Sequence, residues 1–143
     1  SLRRPLQIVI EKCTALTITD SVTQSQIFDP YVVITVAQSN VFNSGSYSIR
    51  TKCLKKQNNP VYSESFLLPG VTGHQVIVLT AIDHGIHQDE YIGQTVIDLS
   101  DKSLWNRGGS LSLFLRLPEY HIKNNGSDYK MKNSFRPTGV IEV

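Results

Sequence analysis

The residues with chemistry to offer fall into two groups of opposite charge. Asp29 stands directly before Pro30, at the mouth of the apolar run Tyr31-Val32-Val33-Ile34-Thr35-Val36. Proline fixes its own φ and pushes the preceding residue toward extended geometry, so this carboxylate leaves a loop and meets a strand at a defined angle. A second acidic stretch, Asp83 to Gly93, links two apolar runs and carries His84, His87, Asp89 and Glu90. An Asp before Pro, or at a strand end, commonly accepts backbone N–H bonds that hold a turn. The two histidines beside Asp83 and Asp89 have the donor types for zinc or for a pH response, although two His three apart in a loop carry little specificity. The basic group is Arg50, Lys52, Lys55 and Lys56. Taken alone it suits a solvated strand face, where Lys discourages edge-to-edge pairing. The chain contains no Gly-rich phosphate loop, no Gly-x-Ser-x-Gly and no Cys/His pair in a recognisable context, so no catalysis is expected of it.

Composition narrows the class further. The chain has 143 residues, 40% of them hydrophobic, and a net charge of +2 from 14 basic and 12 acidic side chains. That balance gives no bulk electrostatic ground for a nucleic-acid partner. No apolar run is long enough to span a bilayer as a helix, and Ser1-Leu2-Arg3-Arg4-Pro5 is not the start of a signal peptide. The two cysteines, Cys13 and Cys53, are expected as reduced thiols packed as small apolar groups, which favours a cytoplasmic setting. Asn125-Gly126-Ser127 has the form of a glycosylation triplet, and Asn-Gly is equally a turn.

The elements that must position these groups are all short strands. Residues 6–11 alternate, with Leu6, Ile8 and Ile10 on one face. After a Thr/Ser/Gln-rich loop over 14–28, the second strand spans 31–37, with Val32, Ile34 and Val36 on one face and Val33 and Thr35 on the other. A third strand over 47–54 places Tyr47, Ile49, Thr51 and Cys53 opposite Ser48, Arg50, Lys52 and Leu54. Asn58-Asn59-Pro60 turns the chain into a fourth strand, 61–68, stopped by Pro69-Gly70. Residues 75–82 are apolar on both faces, which predicts a central strand. Further strands are expected over 92–99, 111–117 and 139–143, with one helical turn near Leu104-Trp105. The expected fold is therefore all-β: an eight-stranded antiparallel Greek-key β-sandwich, one domain over residues 5–143.

Three stretches, taken in order and spacing, resemble the C2 family of membrane- and calcium-binding β-sandwiches. They are Asp29-Pro30-Tyr31-Val32; Thr51-Lys52 followed by Asn59-Pro60-Val61-Tyr62-Ser63-Glu64; and Asp83 followed by Tyr91-Ile92-Gly93. The opening strand leading straight into the long loop, with an extra strand at the end, is similar to the family's type II permutation. The resemblance implies that three loops gather at one end and that their carboxylates hold calcium, a cation that takes six to eight oxygens. The first loop would supply Asp20 and Asp29, the third Asp83 with Asp89 or Glu90. Where the family usually has a second third-loop acid this chain has Gly85, so the resemblance implies at most one weakly held calcium, tightened by Gly85→Asp. Lys55 and Lys56 stand near the position of a second-loop ligand and would oppose a metal. The resemblance also implies that Arg50, Lys52, Lys55 and Lys56 dock anionic phospholipid headgroups or an acidic protein segment. Ile18, Val22, Ile27 and Ile86 are the apolar loop residues available for insertion, Phe28 being expected in the core. The implied role is peripheral membrane targeting within a larger signalling or trafficking protein, the alternative being a calcium-independent scaffold for a protein partner.

Overall fold

The computed structural model describes residues 4–18, 26–38, 46–107, 109–117 and 137–143. The strands are β1 (Arg4–Thr14), β2 (Pro30–Gln38), β3 (Tyr47–Arg50), β4 (Val61–Val71), β5 (Gln75–Asp83), β6 (Glu90–Asp98), β7 (Ser112–Arg116) and β8 (Pro137–Glu142), with one short helix, α1 (Lys102–Arg107), between β6 and β7. They form a single curled antiparallel sheet in the order β3-β2-β5-β6-β7-β8-β1-β4. One half, β3-β2-β5-β6, packs on the other, β7-β8-β1-β4, and the join is slight: β6 and β7 share the one pair Gln94↔Arg116. This is the expected eight-stranded sandwich.

Alternation along the strands decides what the sandwich encloses. Val32, Ile34 and Val36 of β2, Ile77 and Leu79 of β5, Ile8 and Ile10 of β1, Leu115 of β7 and Ile141 of β8 meet in one core with Phe28. β5 is hydrogen-bonded on both sides, to β2 and β6, as its two apolar faces predict. β8 lies between β7 and β1, so the last strand closes the sheet against the first. Both cysteines are free thiols, Cys13 buried and Cys53 exposed. Burial pushes the Cys13 thiol up to about 12, so it stays protonated and inert.

Most strands differ from the expected bounds by a few residues, β1 for instance running from Arg4 to Thr14, and two of these differences have a visible physical cause. β4 runs through Pro69-Gly70 to Val71. It pairs with β1 alone, at the sheet edge, where a proline removes no ladder bond. β3 stops at Arg50 because the Thr51 side chain takes over: Val32 N–H donates to Thr51 Oγ1 at 2.9 Å while Thr51 N–H donates to the Val32 carbonyl at 2.9 Å. Ile18 packs against the core rather than standing at a loop tip. Val22 and the Asn125-Gly126-Ser127 triplet lie outside the described residues.

Two features aim the loop that follows β5. The β5–β6 ladder shifts register between Ala81 and Ile82, a bulge that turns the strand ends at the mouth of the loop. Gly93 is dictated by close approach, since a Cβ there would lie 2.1 Å from Thr138 Oγ1 and 3.2 Å from the Arg116 nitrogen. The Tyr-Ile-Gly motif thus owes its glycine to packing of β6 against β7 and β8.

Candidate functional site

Three segments meet at one corner of the sandwich: the end of the β1–β2 loop at Asp29, the connection 51–60 after β3, and the β5–β6 loop over 84–89. Asp29 ties them together. Its N–H donates to Asp83 Oδ1 at 2.8 Å. Its carbonyl accepts the His84 N–H at 3.0 Å and the Cys53 thiol at 3.2 Å. Its carboxylate Oδ1 accepts the Lys56 N–H at 2.7 Å. Lys56 has φ 57°, a left-handed conformation costly for a side chain with a Cβ, and the Asp29 bond helps hold it there.

Asn58 and Asn59 fasten the same loop from below, a role not legible in their sequence. Asn58 Oδ1 accepts the Phe28 N–H at 2.9 Å while its Nδ2 donates to the Gln26 carbonyl at 2.8 Å. Asn59 Oδ1 accepts the Ala15 N–H at 2.8 Å, where Ala15 sits at φ 54°. Both ends of the β1–β2 loop are therefore pinned by one Asn-Asn-Pro turn, and Phe28 enters the core fully buried.

Asp89 is the most engaged carboxylate. Its Oδ2 accepts a hydrogen bond from the Tyr31 hydroxyl. Its Oδ1 accepts the Gly85 N–H at 3.2 Å and lies 3.1 Å from His84 Nδ1. The Tyr31 bond, then the Gly85 bond, hold this carboxyl below the usual range. Glu90 opens β6 directly opposite Asp83 and is exposed. Asp20 lies outside the described residues.

The basic residues stand on the flank of the same corner, all exposed. Arg50 pairs with Val33, two residues from Tyr31 on the same face, and its Cζ lies 4.9 Å from the Tyr31 ring centroid. This cation–π contact joins the basic strip to the phenol that Asp89 binds. Lys52 is held at its backbone N–H by Glu64 Oε2 at 2.9 Å. Among the described residues, the side-chain ammonium groups of Lys52, Lys55 and Lys56 have no ion-pair partner. Ile86, at the crest of the β5–β6 loop, is 98% exposed, and Ile27 is 64% exposed. An apolar tip and four cations thus share one corner.

The chain belongs to the C2 domain family, whose profile matches residues 4–114. This family is known for modules that interact with membranes, lipids and proteins. Among solved structures, the first C2 domain of plant Extended Synaptotagmin 1 is 18% identical with a TM-score of 0.67, over 99% of this chain and 92% of that one. A C2 domain of RIM from Drosophila is 21% identical with a TM-score of 0.55, over 69% and 78%. Human GIVD cytosolic phospholipase A2 is 16% identical with a TM-score of 0.64, over 99% of this chain and 16% of that larger one. No curated relative matches the chain.

The family implies calcium, and the described residues do not fit it. No group of three or more His, Cys, Asp or Glu among them converges as a metal shell needs. Asp29 and Asp83 each turn an oxygen onto a backbone N–H, and Asp89 commits both oxygens to protein donors. At Gly85 a Cβ would lie 2.1 Å from the Gln88 carbonyl oxygen, so the loop is folded tightly over the place of the missing acid. An Asp there has no room without opening the loop.

Proposed function

We propose that this domain is a peripheral docking module for anionic phospholipid surfaces, with no chemistry of its own, serving a larger signalling or trafficking protein. The observation that carries the reading is the juxtaposition of Arg50, Lys52, Lys55 and Lys56 with the exposed Ile86 tip, beside acids turned onto protein donors. Each basic group near an anionic leaflet contributes about 1 kcal/mol, and such leaflets face the cytoplasm. Burying an isoleucine side chain adds roughly 1.5–3 kcal/mol. Together these give reversible association, in keeping with peripheral attachment. Among the described residues no helix is long and apolar enough to cross a membrane.

An edge-strand scaffold is less well supported. β3 has four residues, and β4 carries Pro69 and the left-handed Ser63 at φ 49°. Short, kinked and proline-bearing edges are poor templates for an added strand. Co-sedimentation with vesicles is the test. Binding to phosphatidylserine-containing vesicles, lost with purely zwitterionic ones and weakened steeply by salt, supports the proposal, because exposed charges are screened over about 8 Å at physiological ionic strength. Equal binding to both kinds of vesicle, or none to either, rejects it.

A further inference from the structure

We propose that Asp89 is a metal-independent clasp: it positions the 84–89 loop for docking, so membrane association at this corner needs no calcium. The inference rests on the docking reading above and concerns how that site is organised.

A metal-organised loop end has carboxylates converging on an empty centre, and their mutual repulsion is relieved by the ion. Here the carboxylates diverge onto different partners. Asp89 reaches across from its own loop to β2, where the Tyr31 hydroxyl binds Oδ2. Its other oxygen gathers the Gly85 N–H and His84 Nδ1. The side chain therefore closes the loop on itself and anchors it to a strand, the two tasks a bridging ion would perform. Asp83 works on the other side, holding the Asp29 N–H, while the Asp29 carbonyl holds the His84 N–H. Ile86 stands between these two anchors at the crest of the loop, 98% exposed. The tight packing at Gly85, with Gln88 O lying 2.1 Å from where a Cβ would be, belongs to the same closed form. Tyr31 also carries Arg50 over its ring, so the clasp sets the loop tip and the first cation of the basic strip relative to each other.

The test uses the whole chain and two independent readouts. The first is exchange of the Gly85 amide, followed by NMR in chelator and in about 1 mM calcium, the upper end of weak calcium modules. Gly85 protection is expected to be the same in both. Asp89→Ala should lower it roughly five- to tenfold, the effect of one or two lost hydrogen bonds on a local opening equilibrium. Asp89→Asn, which keeps a carbonyl acceptor, should retain most of it, and Tyr31→Phe should lower it partway. A ligand role for Asp89 predicts the reverse pattern: calcium raises protection, and Asn fails as completely as Ala. That pattern overturns the inference. The second readout is sedimentation with acidic vesicles in chelator and in calcium. Equal binding supports the clasp, and binding confined to calcium overturns it. If vesicles sediment nothing in either condition the docking reading fails, and Gly85 exchange still decides for or against the clasp.

Discussion

Two adjoining regions of this domain handle charge in opposite ways. In the acidic corner, Asp29 and Asp83 each turn one oxygen onto a backbone N–H, of Lys56 and of Asp29, and Asp89 turns both oxygens onto protein donors, the Gly85 N–H and the Tyr31 hydroxyl. Along the basic strip a few residues away, Lys52 and Lys56 give their backbone N–H groups to the fold, and among the described residues the ammonium groups of Lys52, Lys55 and Lys56 have no ion-pair partner. A carboxylate is a short acceptor that satisfies nearby N–H groups at a strand mouth, whereas a lysine can present its charge at the end of a flexible stem. The difference teaches that the acids build the corner and the bases are available to a partner. Acid substitutions should therefore move stability first, and base substitutions should move binding first.

The largest effect that could break this division is on binding. Replacing Arg50, Lys52, Lys55 and Lys56 together by Gln should remove about 4 kcal/mol of attraction to an anionic surface, close to a thousandfold in affinity. The melting temperature should change little, because the three lysines have no ion-pair partner among the described residues and the exposed contact of Arg50 with the Tyr31 ring is worth only about 0.5–1 kcal/mol. A large drop in melting temperature would show that the strip is structural after all.

Asp29→Ala should act the other way. It deprives the left-handed Lys56 N–H of its acceptor and should cost about 1–3 kcal/mol in denaturant unfolding. Asp29→Asn, which keeps an acceptor oxygen, should cost less. Equal losses for Ala and Asn would mean that the charge itself, rather than the hydrogen bond, holds the corner.

Gly85→Asp sharpens the comparison. As a family-like acid it would be expected to strengthen a calcium site. With Gln88 O lying 2.1 Å from the position of its Cβ, it should instead destabilise the domain by about 1–3 kcal/mol, as overpacking does, and calcium should not restore the melting temperature. Recovery in calcium would mean that the loop opens readily into a metal-holding form. The smallest effect expected is for Ile86→Ser, which should weaken vesicle binding about five- to thirtyfold through roughly 1–2 kcal/mol of lost apolar burial. Stability should stay unchanged, since the side chain is 98% exposed in the folded domain.

Much of this was legible in the chain before folding was considered. Alternation named the inward residues of β1 and β2, and two-sided apolarity placed β5 between neighbours, because a strand's period of two assigns each side chain to a face without reference to the partner. Phe28 next to Asp29 was expected in the core and is buried there. The plain role of Asp29 as an acceptor for backbone N–H groups could also be stated from its place before proline, although not which N–H it would take.

What remained for the tertiary structure were relations between residues far apart in sequence. Asp89 meets Tyr31 across a separation of 58 residues, and Asn58 and Asn59 pin the loop beginning at Ala15 and ending at Phe28. Nothing local distinguishes such an Asp or Asn from one that faces water, since a hydrogen bond depends on where the partner strand arrives. Strand β4 passes through Pro69 because β4 became an edge, and whether a strand is at an edge depends on the whole sheet order. Gly85 read alone is a missing carboxylate; folded, its Cβ direction is occupied by a backbone carbonyl. The sequence by itself determined the strands, their inward faces and the two charged groups, because those follow from local periodicity and side-chain type. The tertiary structure alone decided which charges are consumed by the fold and which remain outside it, because that depends on the donors that folding brings within about 3 Å of each oxygen.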